Sequence, residues 1–231
     1  MAIINFKKQT MKQVVNFLWI GKELGNIELL SLDSFMLKGY ECHLWSWEDI
    51  LNIPTGVISK DAHEIMPPKE NINKAKYSDL FRYKLLYKYG GIWSDLDNIC
   101  INQIPDSEYI FAPYMGFINN NFIKTPKGCE LLLNIINGIE DGSIPFDSSE
   151  YTLQYLVEEI NKLDLMEFAV NEDDINPIKH NAGITLALDI QDWNTFTGFI
   201  VHLFSSSHRV AVKASPIFHQ NLDNLKLFIN E

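Results

Sequence analysis

The stretch NKAKYSDLFRYKLLYKYGGIWSDLD, residues 73–97, decides the reading of this chain. Its first part has helical spacing: Leu80, Tyr83 and Tyr87 recur at i, i+3 and i+7, with Leu86 beside them. Gly90 and Gly91 then stop the helix, because glycine tolerates the left-handed backbone of a helix end. IWSD follows as a very short strand leading into Asp95 and Asp97. In an extended backbone residues i and i+2 face one side, so the two carboxylates are expected to converge. Ionised neighbours repel and are costly to bury, so a positive partner is expected between them. Carboxylate oxygens suit hard ions such as Mg²⁺ and Mn²⁺, which commonly keep positions open for water and substrate phosphates. On the helix, Asp79 and Arg82 stand at i, i+3. The glycine turn tethers them to the aspartate pair. There an acid and a guanidinium can bind sugar hydroxyls and phosphate, though a local ion pair at a helix start also accounts for them.

Outward from this stretch, the chain alternates helices and strands. VVNFLWI (14–20) reads as a buried strand closed by Gly21, and YECHLWSW (40–47) as a second strand. Between them a helix is predicted over 26–38, with Ile27, Leu30 and Ser34 on one face and Gly39 as its stop. Strand, helix and strand at this spacing make a parallel βαβ unit. Pro54, Pro67 and Pro68 punctuate an irregular stretch with one short helix. Downstream the pattern predicts a strand at 109–112 and a hairpin over 115–124 turning near Asn119-Asn120. Helices over 127–140 and 150–162, short strands near 184–188 and 199–204, and a final helix over 221–229 complete it. The class is α/β. In an open sheet of this class ligands bind beyond the carboxyl ends of the strands, where the aspartate pair is expected.

The 231 residues read as one domain, 46% hydrophobic and 21% charged, enough to build a substantial core. A net charge of −11 argues against a nucleic-acid partner. The lysines at 7, 8 and 12, and the pair Lys84 and Lys88, read as solvated surface. Cys42, Cys100 and Cys129 have no metal-binding spacing and fit buried thiols in a reducing compartment. The N-terminus MAIINFKKQTMKQVV is too polar for a signal peptide. No apolar run approaches the ~20 residues needed to span a bilayer. The expectation is a cytoplasmic protein, with peripheral contact at the inner face of the membrane left open.

YSDLFRYKLLYKYGGIWSDLD (77–97) resembles the DXD region of glycosyltransferases with the GT-A fold, a Rossmann-like nucleotide-binding mixed sheet flanked by helices. The likeness is to the group of yeast initiating mannosyltransferases and bacterial capsule and lipooligosaccharide glycosyltransferases; clostridial glucosylating toxins carry a similar core. It extends to NFLWIG (16–21), LLSLDSFMLKGYECHLWSW (29–47) and NIPTGVISKDAHEIMP (52–67). VHLFSSSHR (201–209) looks like the family's His-Leu-Trp-Asn stretch, with Phe204 and Ser205 in place of Trp and Asn. The family's Gly-Pro before a helix is missing; SSEYTLQYL (148–156) stands there. The resemblance is close over roughly 14–140, the expected nucleotide-sugar-binding part. It is thin over 141–231, the expected acceptor side.

The resemblance implies a metal-dependent hexosyltransferase taking a nucleoside-diphosphate sugar, with UDP the expected nucleotide and Mn²⁺ or Mg²⁺ the cofactor. The acceptor hydroxyl would lie on a glycan, a lipid-linked glycan or a protein, in bacterial surface glycan synthesis, with retention at the anomeric carbon. Asp97 would be the leading metal ligand, with Asp95 on the donor or on the metal through water, and His202 as a third ligand. Asp79 and Arg82 would hold sugar hydroxyls and diphosphate, and Trp19 would stack on the base. His180, His208 and His219 have no such support, and Tyr83 reads as packing. Two other readings stand beside this one. A haloacid-dehalogenase-like phosphatase also places Asp-x-Asp after an apolar strand, with NEDDIN (171–176) as its later acidic motif; Asn98 departs from it. A nucleotide-sugar or glycan-binding module without catalysis is the non-enzymatic alternative.

Overall fold

Val14–Leu18 forms strand β1, and a helix, α1 (Asn26–Leu37), returns the chain to β2 (Glu41–Ser46). β1 and β2 pair in parallel, so the expected βαβ unit is formed. β3 (Ile58–Asp61) adds a further parallel strand at the sheet edge, followed by a single 3₁₀ turn at Ala62–Glu64. Helix α2 (Lys74–Tyr89) leads into β4 (Gly91–Ser94), which pairs with β1. After the short β5 (Asn98–Cys100) come β6 (Ile110–Tyr114) and β7 (Phe117–Thr125). Helices α3 (Glu130–Glu140), α4 (Ser149–Lys162) and α5 (Glu172–Ile175) and strand β8 (Ile200–His202) follow. This computed structural model describes residues 12–70, 73–145, 149–177 (backbone alone for 149–152), 196–203, and positions 223, 226, 227 and 229.

The main sheet runs β3-β2-β1-β4-β7-β6, with β7 antiparallel to β4 and β6, and β5 pairs with β8 in a separate ribbon. It is the mixed α/β sheet flanked by helices that the GT-A resemblance implies. Both faces are covered, which is why the strands read as nearly continuous apolar runs. Alternate residues feed two cores: Val15, Phe17, Leu44, Ile92 and Phe122 face α1 and the β5–β8 ribbon. Trp45, Trp93, Phe111 and Ile123 face α2, α3 and α4. Each such side chain contributes about 1.5–3 kcal/mol of burial.

The glycine stop behaves as the sequence implies. Gly90 has φ +70°, and a Cβ there would stand 2.6 Å from the Lys127 backbone nitrogen. Both handedness and space therefore demand glycine. Gly91, at φ +93°, completes the reversal. The chain doubles back, laying β4 beside α2 and carrying the end of β4 towards the first half of that helix.

Several expectations change. The buried side of α2 is Tyr77, Asp79, Phe81, Arg82, Tyr83, Leu85 and Leu86, whereas Leu80 and Tyr87 are only half-buried. The helix lies in a groove between sheet and α3, so its buried face is wider than a single stripe. β3 was hidden by its exposed, polar edge character. The β6–β7 hairpin turns at Met115-Gly116, both with positive φ, and not at Asn119-Asn120, which lie inside β7. The Asp-x-Asp segment is not extended: Asn98 N–H donates to the Asp95 carbonyl at 3.1 Å, closing a turn between β4 and β5. The strand predicted at 184–188, the lysines at 7 and 8, His180, His208, His219, Phe204 and Ser205 lie outside the described residues. No helix among the described residues is long and apolar enough to cross a membrane.

Candidate active site

A cavity of about 320 Å³ opens beyond the end of β4. Leu18 and Trp19 line it from the end of β1, Ser78, Asp79 and Arg82 from α2, and Asp95 and Asp97 from the turn. Its size suits part of a small-molecule ligand. Glu28, Trp93, Asn120 and Leu153 also stand in its wall, and sequence did not single them out as site residues.

Arg82 is the hub of the inner wall. It is 3% exposed, with its Nη2 3.0 Å from Asp95 Oδ1 and 3.3 Å from Asp79 Oδ1. Its Nη1 donates to the Asn120 carbonyl, and its guanidinium lies 4.9 Å over the Trp93 ring. Burial acts to lower the Arg82 pKa, but Asp95 and Asp79 outweigh it and hold the group above its ordinary value. Among the described residues the Nε–H has no hydrogen-bond partner.

Asp79 is buried, and burial pushes its carboxyl up to about 6 against the pull of Arg82. Asn120 Nδ2 donates to Asp79 at 3.0 Å and to the Tyr83 hydroxyl at 3.0 Å, tying β7 to α2. Asp95 keeps 33% of its side chain exposed to the cavity. Its Oδ1 accepts from Arg82 and, at 2.8 Å, from the Trp93 indole N–H. Close packing raises its pKa; Arg82 lowers it and Asp97 raises it.

Asp97 faces a different neighbour. His202 Nε2 stands 3.5 Å from Asp97 Oδ1, and the Leu203 N–H donates to the Asp97 carbonyl at 2.9 Å. The β5–β8 ribbon thus brings a residue from far along the chain to the second aspartate. His202 Nδ1 lies 3.3 Å from Asn176 Oδ1, on α5's trailing edge. Trp19 stands in the cavity wall with its indole N–H held by the Glu23 carbonyl at 3.0 Å.

Of the six residues singled out by sequence, Trp19, Asp79, Arg82, Asp95 and Asp97 line this one cavity, and His202 stands behind its wall, beside Asp97. Among the described residues no three His, Cys, Asp or Glu side chains are grouped to hold a metal ion. Asp97 and His202 offer one oxygen and one nitrogen donor, while the Asp95 carboxylate is engaged by Arg82 and Trp93. Ligands in adjacent positions of a hard divalent ion stand about 3 Å apart, so the Asp97–His202 pair fits such an ion with the remaining positions left to water and ligand.

Comparison with known proteins bears on these residues. Residues 30–116 match the model described as "Glycosyltransferase sugar-binding region containing DXD motif". The chain is 26% identical over 172 residues to "Subversion of eukaryotic traffic protein A" of Legionella pneumophila, covering 61% of this chain and 27% of that one. It therefore spans about a quarter of that relative's length. Among solved structures, "PaToxG Glycosyltransferase" superposes with TM-score 0.49 at 17% identity, over 66% of this chain and 71% of that one. The glycosyltransferase GlyE of Streptococcus pneumoniae TIGR4 superposes with TM-score 0.45 at 12% identity, over 83% of this chain and 54% of that one. Asp79, Arg82, Asp95 and Asp97 all lie inside the matched stretch, which is similar to a glycosyltransferase sugar-binding region of the DXD type.

Proposed function

We propose that this chain is a metal-dependent glycosyltransferase that moves a hexose from a nucleoside-diphosphate sugar to an acceptor hydroxyl. The observation that carries it is the meeting of both aspartates of the motif in one cavity, one clamped by a buried arginine and the other facing a histidine. The UDP-sugar donor, Mn²⁺ or Mg²⁺ and retention rest on the family likeness.

The bond between sugar C1 and the diphosphate oxygen breaks, and a bond from the acceptor oxygen to C1 forms. Negative charge gathers on the departing diphosphate. A divalent cation held by Asp97 and His202 would neutralise that charge, a contribution of several kcal/mol. Asp95, its geometry fixed by Arg82 and Trp93, presents its exposed edge to the sugar or ribose hydroxyls. Arg82 spends its terminal nitrogens on protein oxygens, so its charge acts mainly by holding Asp79 and Asp95 in place. Trp19 offers a ring face for the base. With retention, the acceptor proton passes to the diphosphate as it leaves on the same face.

The acceptor is proposed to be a glycan, a lipid-linked glycan or a protein. Bacterial surface glycan synthesis is one setting. A relative named for subversion of eukaryotic traffic supports a second, an acceptor in a eukaryotic cell. The test is a screen of UDP- and GDP-sugars with Mn²⁺ and Mg²⁺ for a rise in melting temperature and for slow donor hydrolysis. Metal-dependent hydrolysis of one donor is expected. Donor binding without any transfer or hydrolysis would instead favour a binding module. Turnover of a generic phosphate ester, lost in Asp95→Asn, would favour a phosphatase.

A further inference from the structure

His202 reaches the proposed cation site with one of its two ring nitrogens, and the other is held by a residue that no part of the DXD motif contains. Asn176 Nδ2 donates to the Pro113 carbonyl at 3.0 Å. A carbonyl only accepts, so this contact fixes which way the Asn176 amide points. Asn121 Nδ2 approaches the other end of the amide, Oδ1, at 3.4 Å and makes the same choice. Asn121 is itself anchored, its Nδ2 donating to Asn98 Oδ1 at 3.1 Å. Asn98 is in turn held by Ser94 Oγ at 3.1 Å and the Asn121 carbonyl at 2.9 Å. Every member of this set is buried: Asn98 and Asn176 are 0% exposed, Asn121 1% and His202 7%. Each therefore has strong reason to keep its hydrogen bonds.

The consequence falls on the imidazole. Asn176 Oδ1 is an acceptor 3.3 Å from His202 Nδ1, so Nδ1 must carry the hydrogen. In the neutral ring Nε2 then has its lone pair outward, on the side where Asp97 Oδ1 stands 3.5 Å away. A lone pair and a carboxylate converging on one spot is the arrangement a divalent cation takes up. Without Asn176 the ring would gain more from the other tautomer, with Nε2–H donating to the Asp97 carboxylate, which would block that nitrogen.

We infer that Asn176 is a positioning residue, which sets the tautomer of His202 and so keeps Nε2 available to a divalent cation beside Asp97. This rests on the metal-dependent reading above, and its test separates the two. In metal-free protein with ¹⁵N-labelled histidine, at a pH where free imidazole is neutral, the long-range proton–nitrogen spectrum is expected to show His202 protonated on Nδ1. In Asn176→Leu, similar in volume but without the amide, the ring is expected to move towards the Nε2–H form. Mn²⁺ binding, followed by electron paramagnetic resonance, is expected to weaken about ten- to a hundredfold. Asn176→Asp keeps an acceptor oxygen facing Nδ1 and is expected to retain the wild-type tautomer. An Nε2–H ring in the wild type overturns the inference, and so does an unchanged ring in Asn176→Leu. The wild-type spectrum needs no variant to fold. If the wild type binds no Mn²⁺, the metal-dependent reading falls, while the spectrum still decides the role of Asn176.

Discussion

Two halves of the cavity are built differently. The inner half, Asp79, Arg82 and Asp95, comes from one continuous stretch in which a helix, a glycine break and a short strand fold back on themselves. The outer half, Asp97, His202 and Asn176, is assembled from the DXD turn, β8 and α5, which meet only in the folded chain. The inner half is a charge cluster around one buried guanidinium; the outer half is an amide network that aims one ring at a carboxylate. The first depends on compensation of charge, the second on direction of hydrogen bonds. The two should fail in different ways when a member is removed.

The largest effect is expected for Arg82→Met. Its removal leaves the Asp79 and Asp95 carboxylates without their shared cation, and breaking a buried ion pair by deleting one partner costs about 3–5 kcal/mol. Urea unfolding near pH 8 should show that loss. Adding Asp79→Asn should restore part of it, because one uncompensated carboxylate is gone. If Arg82→Met unfolds with wild-type stability, the inner half is not held by charge compensation.

Asp97→Ala tests the outer half next. It leaves the Arg82 contacts to Asp79 and Asp95 in place, so the fold should lose less stability than in Arg82→Met. Metal-dependent donor hydrolysis should drop by about a hundredfold or more, since the cation's Lewis-acid contribution is several kcal/mol. The melting-temperature gain with Mn²⁺ and donor should vanish. Equal gain in the variant would remove Asp97 from the metal set and break the division between halves.

The contrast in construction also explains what was legible. Asp79, Arg82, Gly90, Gly91, Asp95 and Asp97 could be read because helix period, glycine stop and short-range spacing are local properties of the chain. Trp19 was picked out only by its likeness to a family stretch. Asn120 was read as part of a turn because asparagine favours turns, yet β7 carries it between Asp79 and Tyr83. Only the packing of α2 against β7 turns it into a site residue, and nothing within its own stretch signals that. Asn176 lay inside an acidic run with no periodicity, and its role depends on Pro113 and His202, distant in sequence. His202 was picked out only by its likeness to a family stretch. β5 and β8 were missed as partners because their pairing spans most of the second half of the chain. Even the convergence of Asp95 and Asp97 has another cause than the one expected: a closed turn and not an extended strand.

A smaller effect concerns the inner half again. Asp79 titrates at about 6 in the folded protein against an ordinary value of 3.8, raised mainly by burial. The folded state therefore holds a proton that the unfolded chain releases between about pH 4 and 6. Stability from this group is fully present below about pH 4 and is lost as pH climbs through 6, at about 1.4 kcal/mol for each tenfold difference in proton affinity between the two states. Asp79→Asn should flatten that part of the stability-against-pH curve, and a curve of wild-type shape in the variant would show that another group carries it.

The smallest effect is expected for Asn120→Ala. Its side-chain amide serves Asp79 and Tyr83 together, and both are buried. Losing it takes that partner from the Tyr83 hydroxyl and leaves Asp79 Oδ1 to Arg82, a cost of about 1–3 kcal/mol for groups left poorly satisfied out of water. Asn119→Ala, one residue away and half-buried, should cost less than half as much. The Arg82 contact to residue 120 uses the backbone carbonyl and survives the truncation. The Arg82–Asp95 clamp should therefore persist, and donor hydrolysis should fall only a few-fold. A loss of hydrolysis as large as that of Asp97→Ala, without a matching loss of stability, would mean that Asn120 touches the donor itself. In that case the inner half would be a contact surface for the sugar as well as a frame for Asp95.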